Sequence, residues 1–414
     1  MFDDRDLIER RVQRELWERV LPLVHPDRRP LTITAGPDVD HLEPFAAGSP
    51  WGAPWATTWF RFDGTRPDGW AGRRVEAVID LGFNRNPAGF QCEALVVECN
   101  EDGAWRALQG IHPRRTNFPL DVSTGDVTVL LEAASNPSFP QFRPSSQGSL
   151  DTAGEAPIYR FRLAELVVVD ADAEALAYDL EVVDGVMRTL RPDDPRRAKM
   201  RRALERALDR LPDVVAARRP LQPWLEMGTA AGHRSIAVGH AHIDTAWLWP
   251  IRETRRKCVR TFASATALMD GYPEYRFAAS SAQHYAWVEE SHPALFDRIT
   301  ERVGRGQWLP IGGMWVEADM NLPSGESLVR QIVVGQRYFE EKFGQRCEEA
   351  WIPDVFGYPA ALPQVFAAGG MRRFVTQKMS WNKQNRFPHS TFWWEGLDGT
   401  RVLTHFPPVD TYNA

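Results

Sequence analysis

The sequence has no long apolar run: no window approaches the roughly eighteen consecutive apolar residues that a membrane-spanning helix needs. Its opening stretch, MFDDRDLIERRVQRELWERV, is acidic and then mixed, an amphipathic helix with no apolar segment behind it, and it is not read as a signal peptide. Cysteine is scarce. The four present (Cys92, Cys99, Cys258 and Cys347) form no Cys-x-x-Cys pair and no disulfide framework, so free thiols in a reducing compartment, the cytoplasm, are expected. Positive charge is in short supply as well: the net charge is −6 and the pI about 6.0. That balance argues against nucleic acid or an anionic membrane as the main partner. Lysine occurs only five times against a large excess of arginine, which is a matter of composition and says little about mechanism.

What is there is an ordinary globular composition, 43% hydrophobic and 25% charged over 414 residues, enough for two or three domains. Up to about residue 170 the chain reads as short β-rich runs such as ATTWFRFDG, RRVEAVIDLGF and VTVLLEAASNP, separated by Gly, Pro, Asn and Asp. A β-sandwich-like accessory domain over 1–170 is expected. Between 171 and 230 the rhythm turns helical (DAEALAYDLEVVDGVMRTL, then DPRRAKMRRALERALDRL). It ends in a proline-spaced stretch, AARRPLQPWLEMGTAAGH, that suits a linker.

From 231 to 414 strand-like and helix-like segments alternate. RSIAVGH, YRFAASS, QWLPIGG, EEAWIPD and RRFVTQK read as strands. Helices are expected between them, among them one through YAWVEESHPALFDRITERVG and one N-capped by Ser324 with Glu326 in its first turn. Repeated βα units predict an α/β fold with a parallel sheet, open or closed into a barrel. The polar clusters fall where strands end: HAHIDTAW, SSAQHYAW, GGMWVEADMN, PDVFGYP and TQKMSWNKQN. Ligands and catalytic groups of such folds gather at these carboxyl ends.

The stretch VGHAHIDTAWLWP carries the chemistry most densely. Residues i and i+2 of an extended segment project the same way, so His242 and Asp244 can face one point, and so can His240 and His242. A mixed nitrogen and oxygen set suits zinc or another borderline divalent ion, although His-x-Asp pairs are also common as plain hydrogen-bonded structure. Asp354 is a lone carboxylate directly after the apolar AWI, fixed by Pro353. The alternative role for it is a helix N-cap. Glu317 and Asp319 in the third loop could orient such groups or merely be solvated.

Taken together, GHAHIDTAWLWPIRETRRK, YRFAASSAQHYAWVE, GGMWVEADMNLPSGESLVRQ, WIPDVFGYPAALPQ and FVTQKMSWNKQNRFPHSTFWWEGLDGT resemble the glycoside hydrolase family 38 α-mannosidases, in their cytosolic and vacuolar branch. The resemblance runs from about 235 to 414, and the first 230 residues resemble that branch's β-rich accessory domain with less distinctive sequence. It implies a retaining mannosidase with one metal per chain, usually zinc, with another divalent cation such as cobalt as the alternative. His242 and Asp244 would be metal ligands, and Asp354 both a ligand and the nucleophile. Trp247 would pack against the sugar ring, Lys378 would sit beside the nucleophile, and Asp410 is a weaker match to a substrate-contacting acid. His240 is expected to support the site rather than bind metal. The implied partner is an α-mannoside oligosaccharide, with neither nucleic acid nor membrane, and a homo-oligomer is left open.

The family's fourth ligand, a histidine, and its acid/base aspartate have no counterpart here. The surroundings of His389 and His405 do not match the ligand's motif. The sequence is therefore expected to be the N-terminal portion of a longer enzyme. Two other readings stand beside this one. A metal-dependent carbohydrate deacetylase or amidohydrolase is disfavoured because no His-x-x-x-His pair occurs. A non-catalytic carbohydrate-binding fragment would place the function in the β-rich half.

Overall fold

In the computed structural model the described residues are 5–84, 88–99, 105–120, 125–138, 154–228 and 236–407. The first half folds as two antiparallel sheets. One has the order Asp27–Pro30, Leu163–Val168, Val75–Asp80, Asn117–Pro119. The other runs Glu43–Phe45, Thr32–Gly36, Thr57–Thr65, Asp126–Ala134, Glu93–Cys99, Trp105–Ile111. Strict alternation explains the sandwich: in Asp126–Ala134, Val127, Val129, Leu131 and Ala133 point inward to meet Phe60, Phe62, Ile79 and Phe161.

Glu93–Cys99 is different, with buried residues in succession over Glu93 to Val97. One face fills the sandwich, while Leu95 and Val97, with Ala107, join the core of the second half. The six-stranded sheet is thus covered on its outer face by the helix Ile251–Gly271, and EALVVEC reads as a continuous apolar run for that reason.

Between the halves lies a helical cluster. Ala171–Thr189 and Pro195–Leu208 start at N-caps, with the Asp170 and Asp194 side chains accepting from the Ala173 and Arg196 N–H groups. The N-terminal Arg5–Glu15 helix and the turns after it bring Val12, Leu16 and Val20 to this cluster rather than to the sandwich. The described part of the stretch expected to suit a linker carries the end of one short helix, Val214–Arg218, and a second, Gln222–Leu225. Ala217 and Leu221 are buried against Ala171–Thr189, and Arg218 reaches Asp179 at 2.7 Å. Proline was read there as a breaker, but Pro223 sits in the first turn of a helix, where its missing N–H costs nothing.

In the second half the described strands make two sheets. Gly239–His240, Phe277–Ala279 and Trp308–Pro310 are parallel. Glu349–Trp351, Arg373–Val375 and Arg401–His405 are parallel too, with Thr391–Glu395 added antiparallel at the edge. No pairing among the described residues closes these into a barrel. The strands are shorter than expected, with only two or three residues of each expected run paired in a ladder. The single helix expected through YAWVEESHPALFDRITERVG is two, Ala282–Ser291 and Pro293–Gly304. Pro293 lacks the N–H that would continue the first and starts the second. Ser324 does cap Gly325–Phe343, its hydroxyl accepting from Ser327 N–H.

Candidate active site

Four strand ends converge on one point. His242 and Asp244 follow Gly239–His240, Glu317 follows Trp308–Pro310, Asp354 follows Glu349–Trp351, and Lys378 follows Arg373–Val375. His242 Nε2 lies 3.2 Å from Asp244 Oδ1 and 3.4 Å from Asp354 Oδ2. On the far side of the ring, His242 Nδ1 is 3.3 Å from Glu317 Oε2. The other Glu317 oxygen accepts from the Ser280 hydroxyl at 2.6 Å. Lys378 pairs with the remaining oxygen of Asp354.

This geometry can be tested against a metal. One histidine nitrogen and two carboxylate oxygens, from His242, Asp244 and Asp354, lie within 4.8 Å of one another. Two ligands each about 2.0–2.1 Å from a tetrahedral zinc stand about 3.3–3.4 Å apart. The Nε2 separations of 3.2 and 3.4 Å match that spacing and are long for charge-assisted hydrogen bonds. The residues fit a zinc-like cation.

Charge tells the same story. Burial resists a charged His242, yet Glu317 and the hydrogen bonds of Asp244 and Asp354 drive its pKa upward from the ordinary value. Burial works against ionised Glu317, and the contact with His242 and the Ser280 hydroxyl outweigh it, lowering its pKa. Three carboxylates crowd one imidazole and one ammonium here, a surplus of negative charge that suits a divalent cation.

His240 does not join the ligand set. Its Nδ1 meets Ala278 O at 2.8 Å and its Nε2 accepts from the Trp351 indole at 3.2 Å, so both nitrogens are spent on tying the first strand to Phe277–Ala279 and to Glu349–Trp351. Burial lowers its pKa. Asp319, paired with Glu317 in the sequence reading, is apart from the site: its exposed carboxylate accepts from Asn321 and Leu322 N–H in its own turn. His405 sits on the edge hairpin against Thr391, and His389 is exposed. Asp410 lies outside the described residues.

Trp247 is 39% exposed, the right state for a ring face offered to a ligand. It stands edge-on to Trp249 at 5.1 Å and to Phe90 at 5.9 Å. Phe90 comes from the β-rich half, and nothing in NPAGFQC signalled it. Also unread was the ionic cluster behind this loop. Glu253, Lys257 and Arg260 of Ile251–Gly271 meet Glu93 and Asn136 of the sandwich, with Arg260 Nε 3.1 Å from Glu93 and Asn136 Nδ2 2.7 Å from Glu253. The signal was present in RETRRKCVR, where Glu253, Lys257 and Arg260 recur on the face that also carries buried Cys258 and Phe262. The side chain of Gly110 is absent where that helix crosses: a Cβ would stand 3.0 Å from Arg260 O.

An antiparallel sandwich joined to an α/β half, with carboxylates and a metal-type ligand set at its strand ends, is the arrangement of a ligand site built at the carboxyl ends of parallel strands. Residues 233–414 match the Glycosyl hydrolases family 38 N-terminal domain, and 24–167 match the Alpha-mannosidase jelly roll domain. The match over 233–414 places the second half of the chain with glycosyl hydrolases family 38. The chain is 39% identical to human Alpha-mannosidase 2C1 over 90% of this chain and 35% of that protein. With the Saccharomyces cerevisiae Alpha-mannosidase it shares 35% identity over 96% of this chain and 38% of the other. The chain thus spans about a third of the length of these relatives. A crystal structure of an Enterococcus faecalis alpha-mannosidase is also similar, at 21% identity with a TM-score of 0.36, covering 41% of this chain and 19% of that one. No described helix is long and apolar enough to cross a membrane.

Proposed function

We propose that this chain carries the metal- and mannose-binding part of a retaining α-mannosidase acting on terminal α-linked mannose of oligosaccharides. The observation that carries the reading is the meeting of His242, Asp244 and Asp354 at one point, with Lys378 on the other oxygen of Asp354. His242, Asp244 and Asp354 would hold one zinc, or another divalent cation such as cobalt; when bound it supplies a positive charge for sugar hydroxyls and helps keep the ring distorted.

The protein's own residues do the rest. Asp354 attacks the anomeric carbon as the glycosidic C–O bond breaks, and the bonding electron pair leaves with the aglycone oxygen, which takes its proton from a second acid. Water then releases mannose from the Asp354 ester. Lys378 keeps Asp354 ionised for attack and, being lysine, does so as a point charge rather than a two-pronged contact. Trp247 offers its exposed face to the C–H side of the ring. We assign 1–170 to a β-rich accessory domain, 171–230 to a helical connector, and 231–414 to the N-terminal part of a barrel-like catalytic domain. The four free cysteines, three of them buried, fit a cytoplasmic enzyme.

The test is trapping. A slow 5-fluoro mannosyl fluoride should label a peptide containing Asp354 in the full chain. A label on any other residue would remove Asp354 from the role.

A further inference from the structure

Glu317 shares no sequence motif with His242 and comes from a different strand end, yet it faces the one atom of that ring which the metal side does not use. His242 Nε2 looks toward Asp244 and Asp354, while Nδ1 looks at Glu317 Oε2, 3.3 Å away. Glu317 is itself fixed: Ser280 Oγ donates to its Oε1 at 2.6 Å, and its side chain is only 10% exposed. A histidine that binds a cation through Nε2 must carry its proton on Nδ1, and a carboxylate facing Nδ1 enforces that tautomer and ring orientation.

We propose that Glu317, braced by Ser280, is the positioning residue of the metal site, holding His242 with its proton on Nδ1 so that Nε2 is presented to the cation. The proposal rests on the metal reading above. It also gives a reason for placing a carboxylate in a pocket already rich in them: with Oε1 held by the Ser280 hydroxyl and Oε2 facing Nδ1 at 3.3 Å, it sets negative charge beside the imidazole without itself reaching the ligand cluster of His242, Asp244 and Asp354. Asp319, on the same loop, shows the contrast. Its carboxylate turns outward to cap a turn, so only Glu317 is aimed at the ring.

The experiment is zinc titration of the 414-residue chain against a chromophoric chelator, for the wild type, Glu317→Gln, Glu317→Leu, Ser280→Ala and His242→Ala. Losing an outer partner of a ligand histidine typically costs about 10–100-fold in metal affinity, and that range is expected for Glu317→Leu. Glu317→Gln keeps an acceptor without the charge and should fall between it and the wild type. Ser280→Ala should lose less than Glu317→Leu. A second readout needs no variant of Glu317 at all: long-range ¹⁵N–¹H spectra of the zinc-loaded chain, with His242 assigned through His242→Ala, should show its proton on Nδ1. A proton on Nε2, or wild-type zinc affinity in a folded Glu317→Leu, overturns the proposal while leaving the ligand set standing. Unchanged affinity in His242→Ala overturns both. Should Glu317→Leu fail to fold, the Gln variant and the tautomer decide.

Discussion

Lys378 holds its ammonium against Oδ1 of Asp354, while the same nitrogen lies 3.3 Å from the ring centre of Trp381 and 4.6 Å from that of Phe356. The lysine side chain is only 4% exposed, so water does little to screen it. Opposite charges about 4 Å apart attract by roughly 4 kcal/mol in a partly screened site. Lys378→Met keeps the apolar contacts with both rings and deletes the charge. Protonation of Asp354 then becomes easier, and the acidic limb of the pH–rate profile should move to higher pH with kcat lowered at neutral pH. An acidic limb that stays in place would make Lys378 a packing residue.

Asp354→Asn is expected to abolish nearly all turnover with the fold retained, because the amide fits the same space but cannot form the glycosyl ester. The variant should also take up less metal, since a charged donor of the His242, Asp244 and Asp354 set is gone. Steady-state kinetics and zinc content on the same preparation check both. Loss of one property without the other would split the two roles assigned to this residue.

Trp247→Ala should raise KM for an aryl α-mannoside by roughly two- to tenfold, taking the about 0.5–1.5 kcal/mol that a packed aromatic face contributes beyond its burial. Phe90→Ala should give a smaller rise, because Phe90 meets Trp247 edge-on and steers its ring rather than presenting a face of its own. If Phe90→Ala instead equalled Trp247→Ala, the β-rich half would itself contact the sugar.

How far the sequence reveals these features depends on whether the signal is local. His242, Asp244 and Asp354 were legible because strand-end position and i, i+2 spacing are local properties, and the motifs around them are dense in unusual residues. The Ser324 cap was legible for the same reason. Glu317 could be named but not separated from Asp319, since adjacent loop carboxylates differ only in which way the backbone turns them. Phe90 and Glu93 were invisible, because their partners lie more than a hundred residues away and only the docking of two halves brings them together. Pro223 was read as spacing a linker and sits in the first turn of a short helix, since a residue that stops helices also starts them. Strand lengths were overestimated because apolar residues such as Ile311 and Ile352 continue past the last ladder pair and are buried without one.

The helix that follows the metal loop is anchored to the sandwich by charge, and this anchor should show in stability. Glu253 is 0% exposed; burial opposes its ionised form, but Arg260, Arg256 and Lys257, with the Asn136 amide, outweigh that and bring its pKa to about 2. Arg256 lies 2.7 Å from one oxygen, Arg260 pairs with the other, and Arg260 also reaches Glu93 at 2.9 Å. A carboxyl whose folded value is depressed contributes stability that is fully present above its unfolded value of 4.5 and is lost as pH falls toward 2. Glu253→Gln leaves buried cations with too little counter-charge, and breaking such a pair costs about 3–5 kcal/mol. Urea unfolding at pH 7 should therefore show the variant destabilised by that order. Between pH 4.5 and pH 2 the wild type should lose part of this advantage, so the two unfolding midpoints draw together. Because Pro250 and Ile251 join this helix directly to the loop bearing His242, Asp244 and Trp247, the variant should also bind zinc more weakly well below its urea midpoint. Equal stability at pH 7, or a gap between the two that widens as the pH falls, would show that the cluster does not hold the halves together.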